Sequence, residues 1–386
     1  MIVNDSRRVD LARTDPRAVL GLLHAANLRG HGGAGFPTAT KIESAQGRRP
    51  RLIVNACDGE PLVHKDITVL RHAAGLLADG AALVASMVQA FEVVIAVHTT
   101  AVLDAERIAA QLGPSARVLT VPDRYVASEG SALASLAAGG RARPFTHLLP
   151  LTHGGLSRGN VATLVLNAET VARVAALWLD AAEGRAGSAP PARLVTLAGA
   201  VRRPGVVEAT VDTRVGALVE AAGAPTTRRA VLVGGYGGRW LSWADAAPTS
   251  LADLGPDLGA GLIMVQGADC PLRVVGSILA YLAAQSAGQC GPCAFGLPAI
   301  AADWAELAHP ATAPAAHQRL RRRLPVVEGR GACSHPDGAV RMASSALAVF
   351  GAHGRGHAHG RCHHPDDEAT PPIVLDHPRL RLEPAR

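Results

Sequence analysis

A chain of 386 residues that is 48% apolar and 3% aromatic is long enough for two or three domains and apolar enough to give each a core. Its net charge of +6 comes from scattered arginines, and the one dense basic run, RLRRR at Arg319 to Arg323, has no interleaved aromatics, which argues against nucleic-acid binding. The N-terminus MIVNDSRRVD lacks an apolar leader, and the longest apolar stretch, GAALVASMVQAFEVVIAV, carries Gln89 and Glu92, so the expectation is a cytoplasmic protein that does not span a membrane.

In chain order, apolar spacing from Asp15 to Leu28 predicts a short helix with Pro16 in its first turn, leading into RGHGGAGFPTATK. RLIVNAC reads as a strand, DGEPLVHKD as a loop, and a long helix is expected from about Asp66. FEVVIAVHT and ARVLTV are further strands beside helical segments, the alternation of an α/β layer domain. That domain is placed at residues 1–185, before the linker-like EGRAGSAPPAR. Residues 193–265 differ in kind. Two short strands flank the turn Arg203-Pro204-Gly205, then come the helix TRVGALVEAAGA and the strands of AVLVGGYGGRWLS, the order of a small β-grasp domain. Residues 270–353 read as a helical bundle broken at Gly288 to Pro292 and Gly329 to Pro336, and the Gly/His-rich tail, 354–386, as irregular.

Three features carry chemistry. Of 38 basic residues only Lys41 and Lys65 are lysine, and each lies in a glycine-marked motif. A compact ammonium is not geometrically replaceable by guanidinium, so both positions suggest selection for function. RGHGGAG contains G-x-G-x-x-G at Gly30, Gly32 and Gly35, yet a helix precedes it and Pro37 follows, against an ordinary Rossmann dinucleotide site. What remains is a backbone free to approach a flat ring or phosphate closely. Third, QSAGQCGPC sets Cys290 and Cys293 in a C-x-x-C pair with Ala287 three residues upstream. Six cysteines without a secretory leader suggest reduced thiols, available to iron–sulfur or, with Cys333 and His335 or Cys362, to zinc chemistry. Cys270, before an apolar helix, reads as a buried thiol.

The motifs LRGHGGAGFPTATK, VNACDGEP followed by HKD, YVASEGSAL, LNAET, the β-grasp segment and SAGQCGPC occur in this order and together resemble the family of NADH-binding flavoprotein subunits of respiratory complex I. The resemblance covers about residues 15–350. It implies a Rossmann-like FMN domain, a β-grasp domain of the soluble-ligand-binding type and a C-terminal helical bundle holding a [4Fe-4S] cluster. By matching position it implies FMN or NAD contacts at Gly30, Gly32, Gly33, Gly35, Phe36, Lys41, Asn55, Asp58, Tyr125, Glu129 and Asn167, with Glu60 as the catalytic candidate beside the nicotinamide. Lys41 is expected to reach a polar edge of the flavin or its phosphate.

The chain also departs from the family pattern. His31 stands for an arginine, Cys57 for an acid, Ser128 for a glycine and Gly130 for the second glutamate of Y-x-x-G-E-E. IESA replaces the aromatics the family places near the adenine. Flavin positions survive better than nicotinamide positions. Of the family's C-x-x-C-x-x-C and its distant fourth cysteine, Cys290, Cys293 and Cys333 keep three places, and Cys362 is expected to replace the missing first, with His363 or His364 or a three-cysteine [3Fe-4S] cluster as alternatives. The expected function is FMN- and iron–sulfur-dependent electron transfer from NAD(P)H to a ferredoxin-like or membrane partner. The alternatives are a relay that binds no nicotinamide and a zinc-stabilised scaffold.

Overall fold

The computed structural model describes residues 1–146, 149–154, 161–185, 187, 190–309 and 312–357, the final three by backbone alone. Four strands, β1 (Arg51–Asn55), β2 (Glu92–His98), β3 (Ala116–Val121) and β4 (Thr163–Asn167), form a parallel sheet in the order β3-β2-β1-β4. A parallel strand covered on both faces needs a continuous apolar run, which Leu52–Val54, Val93–Val97 and Leu164–Leu166 supply. The chain advances from β1 to β3 on one side of β1 and then crosses to place β4 on the other. Asn55 and Asn167, paired in register at the strands' carboxyl ends, therefore flank the point where a doubly wound sheet opens a crevice.

The helices Ala74–Val88 and Ala168–Ala182 pack across this sheet with backbones in contact. A methyl group at Gly80 would lie 2.0 Å from the Val171 carbonyl oxygen, and a backbone atom of a buried helix cannot yield as a side chain can. Gly80→Ala should therefore destabilise the protein by about 1–3 kcal/mol in denaturant unfolding. A change within about 0.5 kcal/mol would mean that the helices part freely.

The single long helix expected from Asp66 is two helices, Lys65–His72 and Ala74–Val88, bent by 96° at Ala73. No proline or glycine marks that position. The break serves two destinations, because the first helix buries Lys65 and Asp66 among charged partners while the second buries Leu76, Leu77, Leu83 and Val84 in the main core. Among the described residues no single helix is long and apolar enough to cross a membrane; the bent pair passes on length and composition, but its apolar side chains form this core.

Strands β5 (Ala192–Gly199), β6 (Gly205–Thr210), β7 (Ala230–Val233), β8 (Arg239–Ser242) and β9 (Leu262–Val265) make a mixed sheet in the order β6-β5-β9-β7-β8, the β-grasp arrangement. One face packs on the helix Val215–Ala221 through Val195, Leu197, Val219 and Ile263. The other sets Leu232, Trp240 and Met264 against the C-terminal helices Pro271–Ala284, Leu297–Leu307, Ala313–Val327 and His335–His357. The last helix runs to His357, past the bundle's expected end at His353, and its later turns have partners. The Phe350 ring meets Trp240 edge-on at 5.0 Å, and His353 Nε2 lies 3.5 Å from Cys270 Sγ.

Candidate functional site

The glycine loop is closed at its base by Thr38 N–H donating to the Leu28 carbonyl (2.8 Å) and Gly30 N–H to that of Phe36 (2.9 Å). Gly33 and Gly35 take positive φ (+115° and +60°), which residues with a side chain rarely adopt. Gly32 lies over the end of β4, where an added methyl would approach Asn167 Cβ to 3.3 Å. Space beside Gly33 is open, and the N–H groups of Gly32, Gly33 and Gly35 donate to no acceptor among the described residues. A concave run of free amides at the carboxyl edge of a parallel sheet fits the phosphate or ring edge of a flavin mononucleotide. Phe36, 51% exposed, stands beside it.

Behind the loop most of the expected contact residues already hold the protein together. Asn167 Nδ2 donates to the Asp66 carboxylate (2.9 Å), while its Oδ1 accepts from Glu169 N–H (3.1 Å) and Lys65 Nζ (3.0 Å). Asn55 Nδ2 donates to the Ser128 carbonyl (3.0 Å) and its Oδ1 accepts from Cys57 N–H. Asp58 caps the helix Lys65–His72 by accepting from Asp66 and Ile67 N–H (2.9 and 3.0 Å), and burial with the Asp66 charge nearby raises its pKa. Glu129 caps Gly130–Ala137. Lys41 Nζ donates to the Val165 carbonyl (2.7 Å), and burial lowers its pKa against the pull of Glu129.

Lys65, whose rarity suggested a role at the ligand, is 2% exposed and lies inside a buried ion cluster. Its Nζ is 2.7 Å from Asp66 Oδ1 and 3.6 Å from Glu169 Oε2, and Glu169 in turn takes Arg173 (2.9 Å) and the Leu194 N–H of β5 (2.8 Å). His31 belongs to this cluster, with its N–H donating to Thr170 Oγ1 (2.9 Å). Burial holds its imidazole down to about 3, so it stays neutral where the family carries a fixed charge. Its unfolded form takes up a proton near pH 6.5 that the folded form refuses until about pH 3, so its contribution to stability is present at neutral pH and lost as the pH falls. Relative to His31→Gln, the wild type should lose up to about 1.4 kcal/mol per pH unit between pH 6 and pH 4 in urea unfolding. Parallel profiles would contradict the buried-imidazole assignment.

Glu60 is not open to the glycine loop alone. Its carboxylate accepts the Tyr125 hydroxyl and the Tyr236 N–H (2.8 Å), and a methyl at Gly235 would sit 2.5 Å from its Cδ. Burial pushes its pKa up to about 7, with Tyr125 and the Tyr236 amide opposing. The GGYGG loop of β7–β8 is therefore part of the site. Its glycines could be read as turn chemistry alone, but Gly235, besides its positive φ of +97°, has no room for a side chain because Glu60 lies against it. The Tyr125 ring lies 6.2 Å from Tyr281 and 5.2 Å from His335, so one residue touches the flavin-side loop, the β-grasp domain and the helical bundle.

Cys290, Cys293 and Cys333 line one pocket of about 250 Å³ including its mouth, together with Ala287, Val126 and His335. Burial raises the Cys290 thiol, but the N–H groups of Ala332 and Cys293 bring it below its usual value. Cys293 is pushed up to about 12 by burial and by the neighbouring Cys290 sulfur. Burial also raises Cys333, opposed by the His335 N–H. Three thiols in one partly dry pocket, with backbone donors at the sulfurs of Cys290 and Cys333, suit a group that neutralises thiolates. Among the described residues no three His, Cys, Asp or Glu side chains are disposed to hold a single metal ion. Cys290 and Cys293 are close enough for their sulfurs to share a hydrogen bond. Cys362, His363 and His364 lie outside the described residues.

A glycine-loop crevice on a parallel sheet, joined through Tyr125 to a β-grasp domain and a thiol-lined bundle, defines a redox subunit with two separate cofactor sites. Residues 23–176 match the Nuo51 FMN-binding domain, 194–236 the SLBB domain, and 273–357 the NADH-ubiquinone oxidoreductase-F iron-sulfur binding region. The chain carries an FMN-binding domain, an SLBB domain and an iron-sulfur binding region of these kinds, and it is homologous to F-type components of NADH-quinone oxidoreductase. It is 28% identical over 332 residues to an F-type component of the NADH-quinone oxidoreductase of Rhizobium meliloti (strain 1021), covering 77% of each chain. It is 30% identical over 222 residues to the C component of the ion-translocating oxidoreductase complex of Cronobacter sakazakii, covering 56% of this chain and 26% of that one. The solved NAD+-reducing [NiFe]-hydrogenase in the H2-reduced state aligns with 94% of this chain at a TM-score of 0.79 and 28% identity. The chain spans 66% of that hydrogenase chain's length. These relatives are parts of multi-subunit redox complexes, and the chain is an electron-transfer subunit of their kind.

Proposed function

We propose that this chain oxidises NADH or NADPH at the crevice of residues 1–185 and delivers the electrons through the bundle of residues 270–353 to a ferredoxin-like or membrane redox partner, with residues 193–265 as the docking module. The supporting observation is the segment Tyr125–Glu129. Val126 lines the cysteine pocket, the Ser128 carbonyl receives Asn55 from the crevice, and the Tyr125 hydroxyl reaches Glu60. Two redox sites joined by five residues of one chain suit a device that accepts electrons at one and releases them at the other.

FMN, when bound, supplies the step from a two-electron donor to single-electron transfer. The chain's own groups do the rest. The amides of Gly32, Gly33 and Gly35 would hold the flavin's phosphate or ring edge, and Lys41, anchored on β4, would present positive charge beneath it. Exposed Phe36 offers an apolar face for the nicotinamide ring. Glu60 accepts the Tyr125 hydroxyl and, with burial raising its pKa to about 7, can take up or release a proton near neutral pH, and we assign it the catalytic position beside the donor. Gly130 in place of the family's second glutamate removes a negative charge from the approach of an anionic dinucleotide. The free thiols Cys290, Cys293 and Cys333 suit a reducing, cytoplasmic setting.

Anaerobic stopped-flow mixing of the purified flavin-loaded protein with NADH and with NADPH tests this reading. Bleaching of the flavin band by one of them, followed by a reduced-cluster EPR signal, is the expected result. No bleaching with either would assign the chain to the relay class, fed by another protein of the complex.

A further inference from the structure

We infer that His335 Nδ1 is the fourth protein ligand of the cluster, completing with Cys290, Cys293 and Cys333 a three-cysteine, one-histidine site. The inference rests on the cluster reading above and names the residue that takes the lost cysteine's place.

The first observation is the pocket wall. Ala287 stands where the family's first cysteine would, and it lines the pocket with the three thiols, so the place left by the missing sulfur faces the same space. His335 lines that pocket too and is 8% exposed. The second is the state of its ring. His335 Nε2 lies 2.9 Å from the Leu282 carbonyl oxygen, which can only accept, so Nε2 carries the proton and Nδ1 keeps its lone pair. The third is that Nδ1 is fully buried and has no hydrogen-bond partner. A buried acceptor left unpaired is destabilising, and a native fold retains one where something else pairs with the atom.

A ring whose far nitrogen donates to a backbone carbonyl while the near one keeps an unpaired lone pair, on a residue that lines the thiol pocket, has the arrangement of a metal-ligating histidine. The neutral imidazole donates an electron pair to iron without releasing a proton. It also brings no negative charge, so the cluster carries one unit less than with four thiolates and should have a higher reduction potential. His335 begins the helix that follows Cys333, and Cys333 Sγ is already near the His335 N–H. Two adjacent ligands are thus set by a single turn. Cys362 would have to return from beyond His357 to reach the same iron.

The test uses the full chain purified anaerobically, with iron and acid-labile sulfide determined first. The cluster is reduced with a low-potential europium chelate and examined by pulsed EPR, with natural-abundance and ¹⁵N-histidine protein compared. The expected result is four irons per chain and a strong nitrogen coupling that changes on labelling. Because His335→Ala could disturb the Leu282 contact, the informative variant is Ala287→Cys, which restores the missing thiol with His335 intact. It should keep four irons, lose the nitrogen coupling and lower the midpoint potential, whereas Cys362→Ser should alter nothing. A four-iron cluster without nitrogen coupling, or one reduced to three irons by Cys362→Ser, overturns the assignment to His335 and leaves the electron-transfer reading standing. An iron-free wild type overturns both.

Discussion

Lys65→Met should cost about 3–5 kcal/mol of stability, the penalty of breaking a buried ion pair from one side. The ammonium is the centre of a cluster in which Asp66 and Glu169 surround it and Asp58 is close enough to be felt. Burial opposes its charge, but these carboxylates more than compensate and hold its pKa above the usual lysine value. Removing it leaves carboxylates facing one another with Arg173 and Arg193 as the cations that still act on Glu169. Lys65→Arg should also destabilise, because a planar fork cannot place donors on Asp66 and Asn167 at once in the space of a compact ammonium. Restoring neutrality with Lys65→Met/Asp66→Asn should recover part of the loss. Urea unfolding of the three variants checks this, and a Lys65→Met cost below about 1 kcal/mol would show that the cluster is not a charge-balanced unit.

Cys293→Ala should remove the cluster while leaving flavin in place. Cys293 is the most buried of the three pocket cysteines, within the π-helical turn Pro292–Gly296 that sets its direction, and no neighbouring donor can replace a thiolate there. Iron content should fall from about four per chain to near zero. Flavin bleaching by the nicotinamide donor should persist, since the crevice lies in a different domain, but electron delivery to an external one-electron acceptor that docks at the bundle should stop. Retention of a four-iron signal would remove Cys293 from the ligand set.

Some of this was legible in the residues alone. The apolar runs of β1 and β2 announce buried strands of an α/β layer, because burial on both faces leaves no room for alternation. The turn at Arg203-Pro204-Gly205 announces the β5–β6 hairpin, and the order of motifs from LRGHGGAG to SAGQCGPC carries the family. These are short-range signals, encoded in spacing and turn chemistry within one element.

Other features depend on residues far apart in the chain. Asn167, Asp58 and Glu129 look like ligand contacts in a motif, and in the fold each also caps a helix while Asn167 accepts from Lys65, because a side chain's partner is set by what the fold brings near. The bend at Ala73 has no local breaker and exists because the two helices must bury different faces. Glu60 meets Tyr236 across 176 residues, and His335 meets Leu282 across 53. Residue order alone settles most of the elements, which cofactor domains they build and which three thiols remain. The packed fold settles which polar groups the protein already uses and which, like His335 Nδ1, are buried without a partner, because hydrogen-bond satisfaction depends on close packing between distant segments rather than on the order of residues within one.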